Sequence, residues 1–455
     1  MDLDLAKVNK VYLSGLGGIG LSAVAYYFLS QGKSVSGSDL TKSEITKRLE
    51  NQGVLVNYQQ KETNIKEGFD LLVYTSALPE DHPELVKARN LKIPTLSYFQ
   101  FLGILSKDYQ TIAVTGTNGK TTTTAMLGLI LEKAGLDPTV IVGSLVPQWG
   151  KNFRLGKSDI LVVEACEWKA HMLELNPNII VLTNVAEDHL DFYQDLDDIK
   201  KHFQKFVNKL PSDGILIKNI DDQNSQNIVN QNRNLLFGQN KKADCYFADL
   251  EVSAGQQEFK VYLDEKLFGD FHLTVPGLYN VYNALAAITV ASHLGLNKHQ
   301  IWNALNEFVG TWRRFELLGN FKSNLVISDY AHHPDAIKGL LKAAKDFYPD
   351  RKLIAIFQPH HHNRTLTLIN DFAKSFDLAD QIIISEIYQV GGREDKEHED
   401  VSSLDVLKLI SHSKKYYAAD FSEVKQIIKK INPVDSVLLF IGAGDIDNLA
   451  RELVT

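Results

Sequence analysis

The chain has 455 residues, 44% of them hydrophobic and 23% charged, with 48 Lys and Arg against 56 Asp and Glu for a formal charge of −8. That length holds several cores, roughly three domains at ordinary domain size. The acidic balance excludes a general attraction to nucleic acid or to an anionic membrane surface, so any phosphate must be met by local sites. Two cysteines, Cys166 and Cys245, exclude a disulfide framework and fit a reducing compartment. The opening MDLDLAKVNK has no apolar stretch of signal length, and no apolar run approaches about 18 residues, so a cytoplasmic protein without membrane insertion is expected.

The first segment opens with a strand, VYLSG, from Val11 to Gly15, and passes through Gly15, Gly17, Gly18 and Gly20 into a helix from Leu21 to Gln31. A second strand, SVSGSD, ends at Asp39. Strand, glycine turn, helix and an acid roughly 20 residues on form the dinucleotide-fold fingerprint, in which glycines let a phosphate approach the helix N-terminus. The pattern alone admits NAD, FAD, a nucleotide-linked substrate, or a turn with only a structural role. DLLVYTSALP, from Asp70 to Pro79, reads as a buried strand running into a loop, and a short strand and helix close this α/β segment before Lys107.

From Thr111 to Thr124 the chain reads TIAVTGTNGKTTTT: a β-branched run, a break at Gly116, and a helix of small and apolar residues from Lys120. A strand feeding a glycine-bearing turn at a helix N-terminus presents backbone N–H groups to an anion. Lys120 adds a point charge and Thr121 a hydroxyl suited to Mg2+. The turn is tighter than the common GxxxxGK[ST] loop, since Val114 stands where that loop has its first glycine. DILVVEACEW, from Asp159 to Trp168, is a near-continuous apolar strand ending at Glu164, with Glu167 just beyond. IIVLTNVAEDHLDFY, from Ile179 to Tyr193, repeats the design and delivers Asn184, Glu187, Asp188, His189 and Asp191. Ligands gather beyond the carboxyl ends of strands in doubly wound sheets, so Lys120, Thr121, Glu164 and His189 are expected at one edge, with carboxylate and imidazole suited to Mg2+ beside phosphate. Short alternating strands follow from Asp244 to Thr274, then a helix from Asn280 to Gly295, in which Asn280 is either a cap or a reader of a base edge.

The last segment begins near Trp312 with Arg313, Arg314, Phe315 and Glu316. LVISDYAHHP, KLIAIF, QIIIS and SVLLFIGAGDI are its strands, alternating with helices, so a second α/β sheet is expected. Asp329, His332, His333, His360, His361, His362 and Arg364 lie at strand ends. The histidines have no zinc-like spacing with acidic partners, and donors to an anionic substrate are the better reading. GAGDI is a further glycine turn under a helix, and GGREDKEHED, Gly391 to Asp400, reads as an exposed loop.

Taken together, GLGGIGLS, SGSDL, TSALPEDHPE, GTNGKTTTT, TNVAEDHLDFY, RRFE, DYAHHP, FQPHHHNRT and GAGDI, in this order, closely resemble the Mur ligase family over nearly the whole chain. The resemblance implies a three-domain α/β architecture. A Rossmann-like domain for a UDP-sugar would cover residues 1–106, a central P-loop ATPase-like domain 107–312, and a Rossmann-like C-terminal domain for an amino acid 313–455. It also implies an ATP- and Mg2+-dependent ligase working through an acyl phosphate, with small molecules as substrates and a monomer or homodimer as the working form. Within the family the motifs are most similar to members that join L-alanine to UDP-N-acetylmuramate. The alternative is a sister ligase adding another amino acid or recycling a murein tripeptide.

By position, the resemblance implies that Gly116, Thr117, Asn118, Gly119, Lys120, Thr121 and Thr122 hold the ATP phosphates, and that Thr121, Glu164 and His189 hold metal. Asn280 and Asn283 would line the adenine pocket, with Arg314 and Asp329 approaching the nucleotide from the last domain. Gly17, Gly18, Ser22, Asp39 and Ser76 would line the UDP-sugar pocket, and His333, His361 and Arg364 the amino-acid end. Lys120, Glu164, His189 and His333 would be catalytic, His333 as the base for the attacking amine. Three positions depart from that pattern: Asn118 and Tyr279 stand where His is usual, and His361 where many relatives have Arg. A planar Arg fork is not reproduced by His, so the last departure bears on the amino acid. Two other classes compete. An NAD-dependent oxidoreductase using Gly15 to Asp39 leaves the phosphate loop unexplained, and a nucleotide-gated binding protein leaves the catalytic set unexplained.

Overall fold

The apolar runs of this sequence are short, five or six residues flanked by glycine and polar turns, and they assemble into three sheets. The computed structural model describes residues 3–190, 192–253, 255–389 and 401–454, so Asp191 and the loop expected at 391–400 lie outside the described residues. The first sheet contains β1 (Lys10–Ser14), β2 (Ser34–Ser38), β3 (Leu55–Asn57), β4 (Leu71–Tyr74) and β5 (Thr95–Ser97), in the order β3-β2-β1-β4-β5 with every pairing parallel. The strand order reverses at β1, and the turn after β1 leads into the helix Ile19–Ser30 behind Gly18. Ser14 and Ser38, at the carboxyl ends of β1 and β2, both donate to the fully buried carboxylate of Glu84, as do Tyr12 and Asn64.

The second sheet is built around β6 (Gln110–Thr115), β9 (Ile160–Glu164) and β10 (Ile179–Leu182). With β7 (Thr139–Val146), β8 (Lys151–Arg154), β11 (Ile215–Asn219), β12 (Arg233–Gly238), β13 (Cys245–Ser253), β14 (Gln256–Leu263) and β15 (Lys266–Leu273) it runs β15-β14-β13-β12-β11-β10-β6-β9-β7-β8. β6 lies between β10 and β9, parallel to both, which sets the ends of these three strands side by side. The strand expected to end at Glu164 does so. Beyond it Lys169 and Ala170 take φ of 50° and 57° inside the 3-10 segment Trp168–Glu174, and β10 ends at Leu182.

The third sheet comprises β16 (Glu316–Phe321), β17 (Asn324–Asp329), β18 (Lys352–Phe357), β19 (Gln381–Ser385), β20 (Lys415–Ala418) and β21 (Ser436–Ile441), in the order β16-β17-β21-β18-β19-β20. Only the β16–β17 pair is antiparallel. Both faces of this sheet are covered. Val437, Leu439 and Ile441 point into one apolar cluster with Leu353, Ala355 and Phe357, while Leu438 and Phe440 point into the other with Ile354 and Ile356. That is why these strands are apolar throughout instead of alternating. Gly442, at φ 150°, turns the chain out of β21 toward the helix Ile446–Val454.

By its packing the chain forms two compact units, and neither is continuous in sequence. One comprises Met1–Asp249, Phe259–Phe271 and Tyr282–Phe308; the other Leu250–Glu258, His272–Val281 and Val309–Thr455. In the first, a single apolar cluster runs from Leu5 and Val11 through Phe101 and Leu105 to Phe203 and Ile228, so the first sheet and the β6 region share one core. No helix among the described residues is long and apolar enough to cross a membrane.

Candidate functional site

The turn after β6 is shaped by two glycines. Gly116 has φ 130°, and a Cβ there would lie 2.2 Å from Thr183 Oγ1 and 2.8 Å from Asn184 O. Gly119, at φ 86°, caps the helix Lys120–Lys133, and a Cβ there would meet Asn283 Oδ1 at 2.3 Å. Both positions combine a left-handed backbone with no room for a side chain, which only glycine accepts. The turn is fastened to the segment after β10. Thr117 N donates to Asn184 O (3.0 Å), Asn118 N to Asn184 Oδ1 (3.0 Å), Thr183 Oγ1 to Asn118 O (2.6 Å) and Ala186 N to Thr117 Oγ1 (2.9 Å). Two of the loop amides are thus already used, and the anion donors that remain are the first N–H groups of the helix, which have no intrahelical acceptor.

Around this turn the first unit gathers most of the expected nucleotide set. Thr121 Oγ1 donates to Glu164 Oε1 at 3.1 Å, and Glu164 Oε2 accepts from Gly143 N at 2.7 Å. Thr123 Oγ1 donates to Asn283 Oδ1 at 3.2 Å, which brings Asn283 to the turn, and Thr122 lies on the first helical turn, 9% exposed. His189, at φ 53°, follows Asp188, whose carboxylate accepts from the His189 amide at 2.7 Å.

The sequence did not single out the residue that joins these parts. Glu167 Oε1 accepts from Lys120 Nζ at 2.8 Å and lies 3.9 Å from His189 Nε2, with the Glu167 side chain only 4% exposed. Its other oxygen, Oε2, is buried without a hydrogen-bond partner. Glu167, Asp188 and His189 each offer a ligand atom within 4.8 Å of the others. Two carboxylates, an imidazole and an unsatisfied buried oxygen fit a divalent cation. Burial works against the charge on Lys120, but the Glu167 and Glu164 carboxylates outweigh it and hold the ammonium above its ordinary pKa. Glu164 and Glu167, three apart across the end of a strand, were the signal available in the sequence.

The expected UDP-sugar residues cluster after β1. Gly17 N donates to Asp39 Oδ2 at 2.9 Å, and Asp39 Oδ1 accepts from Thr41 N at 3.1 Å. Gly18 caps the helix, and Ser76 is half-buried in the loop after β4. Ser22 is fully buried, with its hydroxyl on Ile19 O (2.8 Å) and Asn152 Oδ1 (3.3 Å).

The remaining residues lie in the second unit. Asn280 Nδ2 donates to Pro276 O at 2.7 Å. Asp329, at the end of β17, accepts from Phe315 N and Ala331 N, each at 2.7 Å. Burial pushes its carboxyl above the ordinary range against the pull of Arg314. Arg313 and Arg314 both stack on Tyr330, at 4.9 and 5.3 Å from the ring centroid. His333 is the N-cap of the helix Pro334–Phe347, with no side-chain cap bond. His361, at φ 66°, precedes the helix His362–Thr367, which carries Arg364. The His360 ring meets His361 edge-on, with centroids 4.1 Å apart. Burial, then the charges of His361, Arg364, His332 and Arg313, push its pKa down to about 3. This unit therefore concentrates donors for an anion.

Three family descriptions match in succession: the catalytic domain of the Mur ligase family over residues 10–110, the Mur ligase middle domain over 114–291, and the glutamate ligase domain of Mur ligases over 313–444. The chain belongs to the Mur ligase family. This Mur ligase is 40% identical over 460 aligned positions to the UDP-N-acetylmuramate–L-alanine ligase of Caldanaerobacter subterraneus subsp. tengcongensis, covering 100% of this chain and 99% of that one. Its structure is similar to the UDP-N-acetylmuramate-alanine ligase of Thermotoga maritima, with a TM-score of 0.84, 31% identity and 98% of each chain covered. It shares its fold with the murein peptide ligase of Psychrobacter arcticus, with a TM-score of 0.73, 23% identity and 98% of each chain covered. The Mur ligase thus has the three-domain α/β architecture that its motifs implied.

Proposed function

We propose that this Mur ligase joins L-alanine to the lactyl carboxylate of UDP-N-acetylmuramate, with ATP converted to ADP and phosphate, as a step in making peptidoglycan precursors. The observation that carries the ligase chemistry is Lys120 and Thr121 at a helix N-terminus beside Glu164, Glu167 and His189. The substrate pair rests on full-length similarity to ligases of that name.

A carboxylate is a poor acyl donor because its leaving group would be oxide. Phosphorylation turns it into an acyl phosphate, and an amine then displaces phosphate through a tetrahedral intermediate. In this reading the helix N-terminus and Lys120 hold the phosphates and offset the charge on the transferring group. Thr121, Glu164 and His189, with Glu167 and Asp188 beside them, would hold Mg2+, which would supply further charge neutralisation when bound. Gly116, Thr117, Asn118, Gly119 and Thr122 shape the cradle, and Asn280, Asn283, Arg314 and Asp329 meet the rest of the nucleotide. Gly17, Gly18, Asp39 and Ser76 receive the UDP-sugar, and Ser22, fully buried with its amide on Gly18 O, holds the start of the helix Ile19–Ser30 in place. His333, His361 and Arg364 meet the amino acid, with His333 taking the amine proton. The corresponding segments are 1–106, 107–312 and 313–455.

The test is phosphate release from ATP and Mg2+ with UDP-N-acetylmuramate, scanning L-Ala, Gly, L-Ser, D-Glu and the murein tripeptide as acceptors. Turnover that needs the UDP-sugar, is best with L-Ala, and is lost on chelation and in Lys120→Ala is expected. Turnover with tripeptide instead of L-Ala moves the protein to the sister reaction, for which His361 in place of Arg is the feature to pursue. A Lys120→Ala enzyme that retains ligase activity refutes the phosphate-loop assignment.

A further inference from the structure

An ammonium has three donors, and all three of Lys120 are committed: to Gly116 O at 2.6 Å, Thr117 O at 2.9 Å and Glu167 Oε1 at 2.8 Å. The residue read as the phosphate ligand is therefore folded back onto its own loop. It reaches a phosphoryl oxygen only by giving up one of these partners. The two carbonyls belong to a turn fixed by Asn184 and Thr183, so the partner that can change is the side chain.

Glu167 is arranged for that exchange. One oxygen holds Lys120, while the other is buried with no partner, an incomplete arrangement for a carboxylate in a low-dielectric site. His189 Nε2 lies 3.9 Å from the same oxygen that holds Lys120, and ligand atoms of Glu167, Asp188 and His189 all lie within 4.8 Å of one another. The oxygens of Glu164 meet Gly143 and Thr121, and it is Glu167 alone of the two carboxylates that holds Lys120.

We propose that Glu167 is a positioning residue that makes phosphate binding conditional on a divalent cation. It keeps Lys120 turned onto the loop, and releases it when the carboxylate takes the cation with Asp188 and His189 as its partner instead. The proposal rests on the reading of Gly116–Thr121 as a phosphate loop. It adds a residue and an order of events to that reading: cation and nucleotide reinforce one another through the protein, beyond the direct attraction of metal for phosphate.

The experiment measures the affinity of the full-length protein for the non-hydrolysed ATP analogue adenylyl imidodiphosphate by calorimetry, in EDTA and in Mg2+. Glu167→Gln is expected to bind the analogue at least threefold tighter than wild type in EDTA, because Lys120 is no longer held by a full charge. The gain on adding Mg2+ is expected to shrink at least tenfold. A folded Glu167→Gln that binds the analogue equally or more weakly in EDTA overturns the proposal, since a purely structural ion pair predicts that result. A wild-type protein that fails to bind the analogue even with Mg2+ refutes the phosphate-loop reading itself. A measurement on wild type alone runs in parallel: amine acylation of Lys120, located by peptide mass spectrometry, with and without Mn2+ and with no nucleotide. Labelling should rise severalfold with Mn2+. Unchanged labelling overturns the proposal whether or not the variant folds.

Discussion

Glu84 gives the sharpest test of how the first sheet is held together. Its carboxylate is fully buried and accepts from Tyr12 (2.8 Å) and Asn64 (2.8 Å) on one oxygen, and from Ser14 (2.8 Å) and Ser38 (2.7 Å) on the other. Glu84→Ala leaves four donors without an acceptor. At about 1 kcal/mol for each, the low end because serine hydroxyls can turn, the loss is about 4 kcal/mol, within the range for breaking a buried charged network. Glu84→Gln keeps a carbonyl for Tyr12 and Asn64, and its amide faces two serine hydroxyls that rotate to accept. Its loss should be about 1–2 kcal/mol. Unfolding of so large a chain is not a single two-state step, so the assay is hydrogen exchange of the peptides containing Lys10–Ser14 and Ser34–Ser38. At about 1.4 kcal/mol per factor of ten, exchange should rise nearly 10³-fold in the alanine variant and about tenfold in the glutamine variant. An alanine variant within threefold of wild type, or a glutamine variant as costly as alanine, refutes the reasoning.

Two further outcomes follow from the titrating groups. His360, pushed down to about 3 mainly by burial, binds fewer protons folded than unfolded, so stability should rise with pH from about 3 to the ordinary histidine pKa near 6.5. Hydrogen exchange of the peptide containing Lys352–Phe357, corrected for the pH dependence of intrinsic exchange, should slow as pH rises across that window, and His360→Phe should flatten the trend. Burial pushes the thiols of Cys166 and Cys245 up to about 12. Both should therefore resist iodoacetamide at pH 8 in the folded protein and react promptly in urea, as read by intact mass; rapid native labelling of either refutes the burial argument.

What was legible in the sequence was whatever repeats or punctuates. β6, β9 and β10 were readable as apolar runs, and the glycines at 116 and 119 marked the turn. Because parallel strands start and stop together, Lys120, Thr121 and Glu164 followed at one edge. Glu167 escaped because it lies past the strand, just before a segment whose backbone turns left-handed at Lys169 and Ala170, where no periodicity says which way a side chain points. Asn280 shows the converse. Its side chain bonds back to Pro276 O, the local role that asparagine near a helix start commonly takes. The division into two units was not legible either, since it depends on which neighbours the strands after Asp244 choose and not on their own composition.

That division has a consequence for synthesis. Between Asp249 and Val309 the chain passes back and forth between the two units, and the helix Leu278–His293 is shared, its first turn in one and the remainder in the other. On the ribosome, the first unit cannot close its packing when Asp249 emerges. It must wait for about 60 more residues, roughly 3–12 s at ordinary elongation rates. Through that interval the face of the helix Lys120–Lys133 that packs against the helix Lys298–Asn306 stands uncovered, and a chaperone or a translational pause has its natural point of action there. For the same reason, no single cut in the chain releases either unit whole.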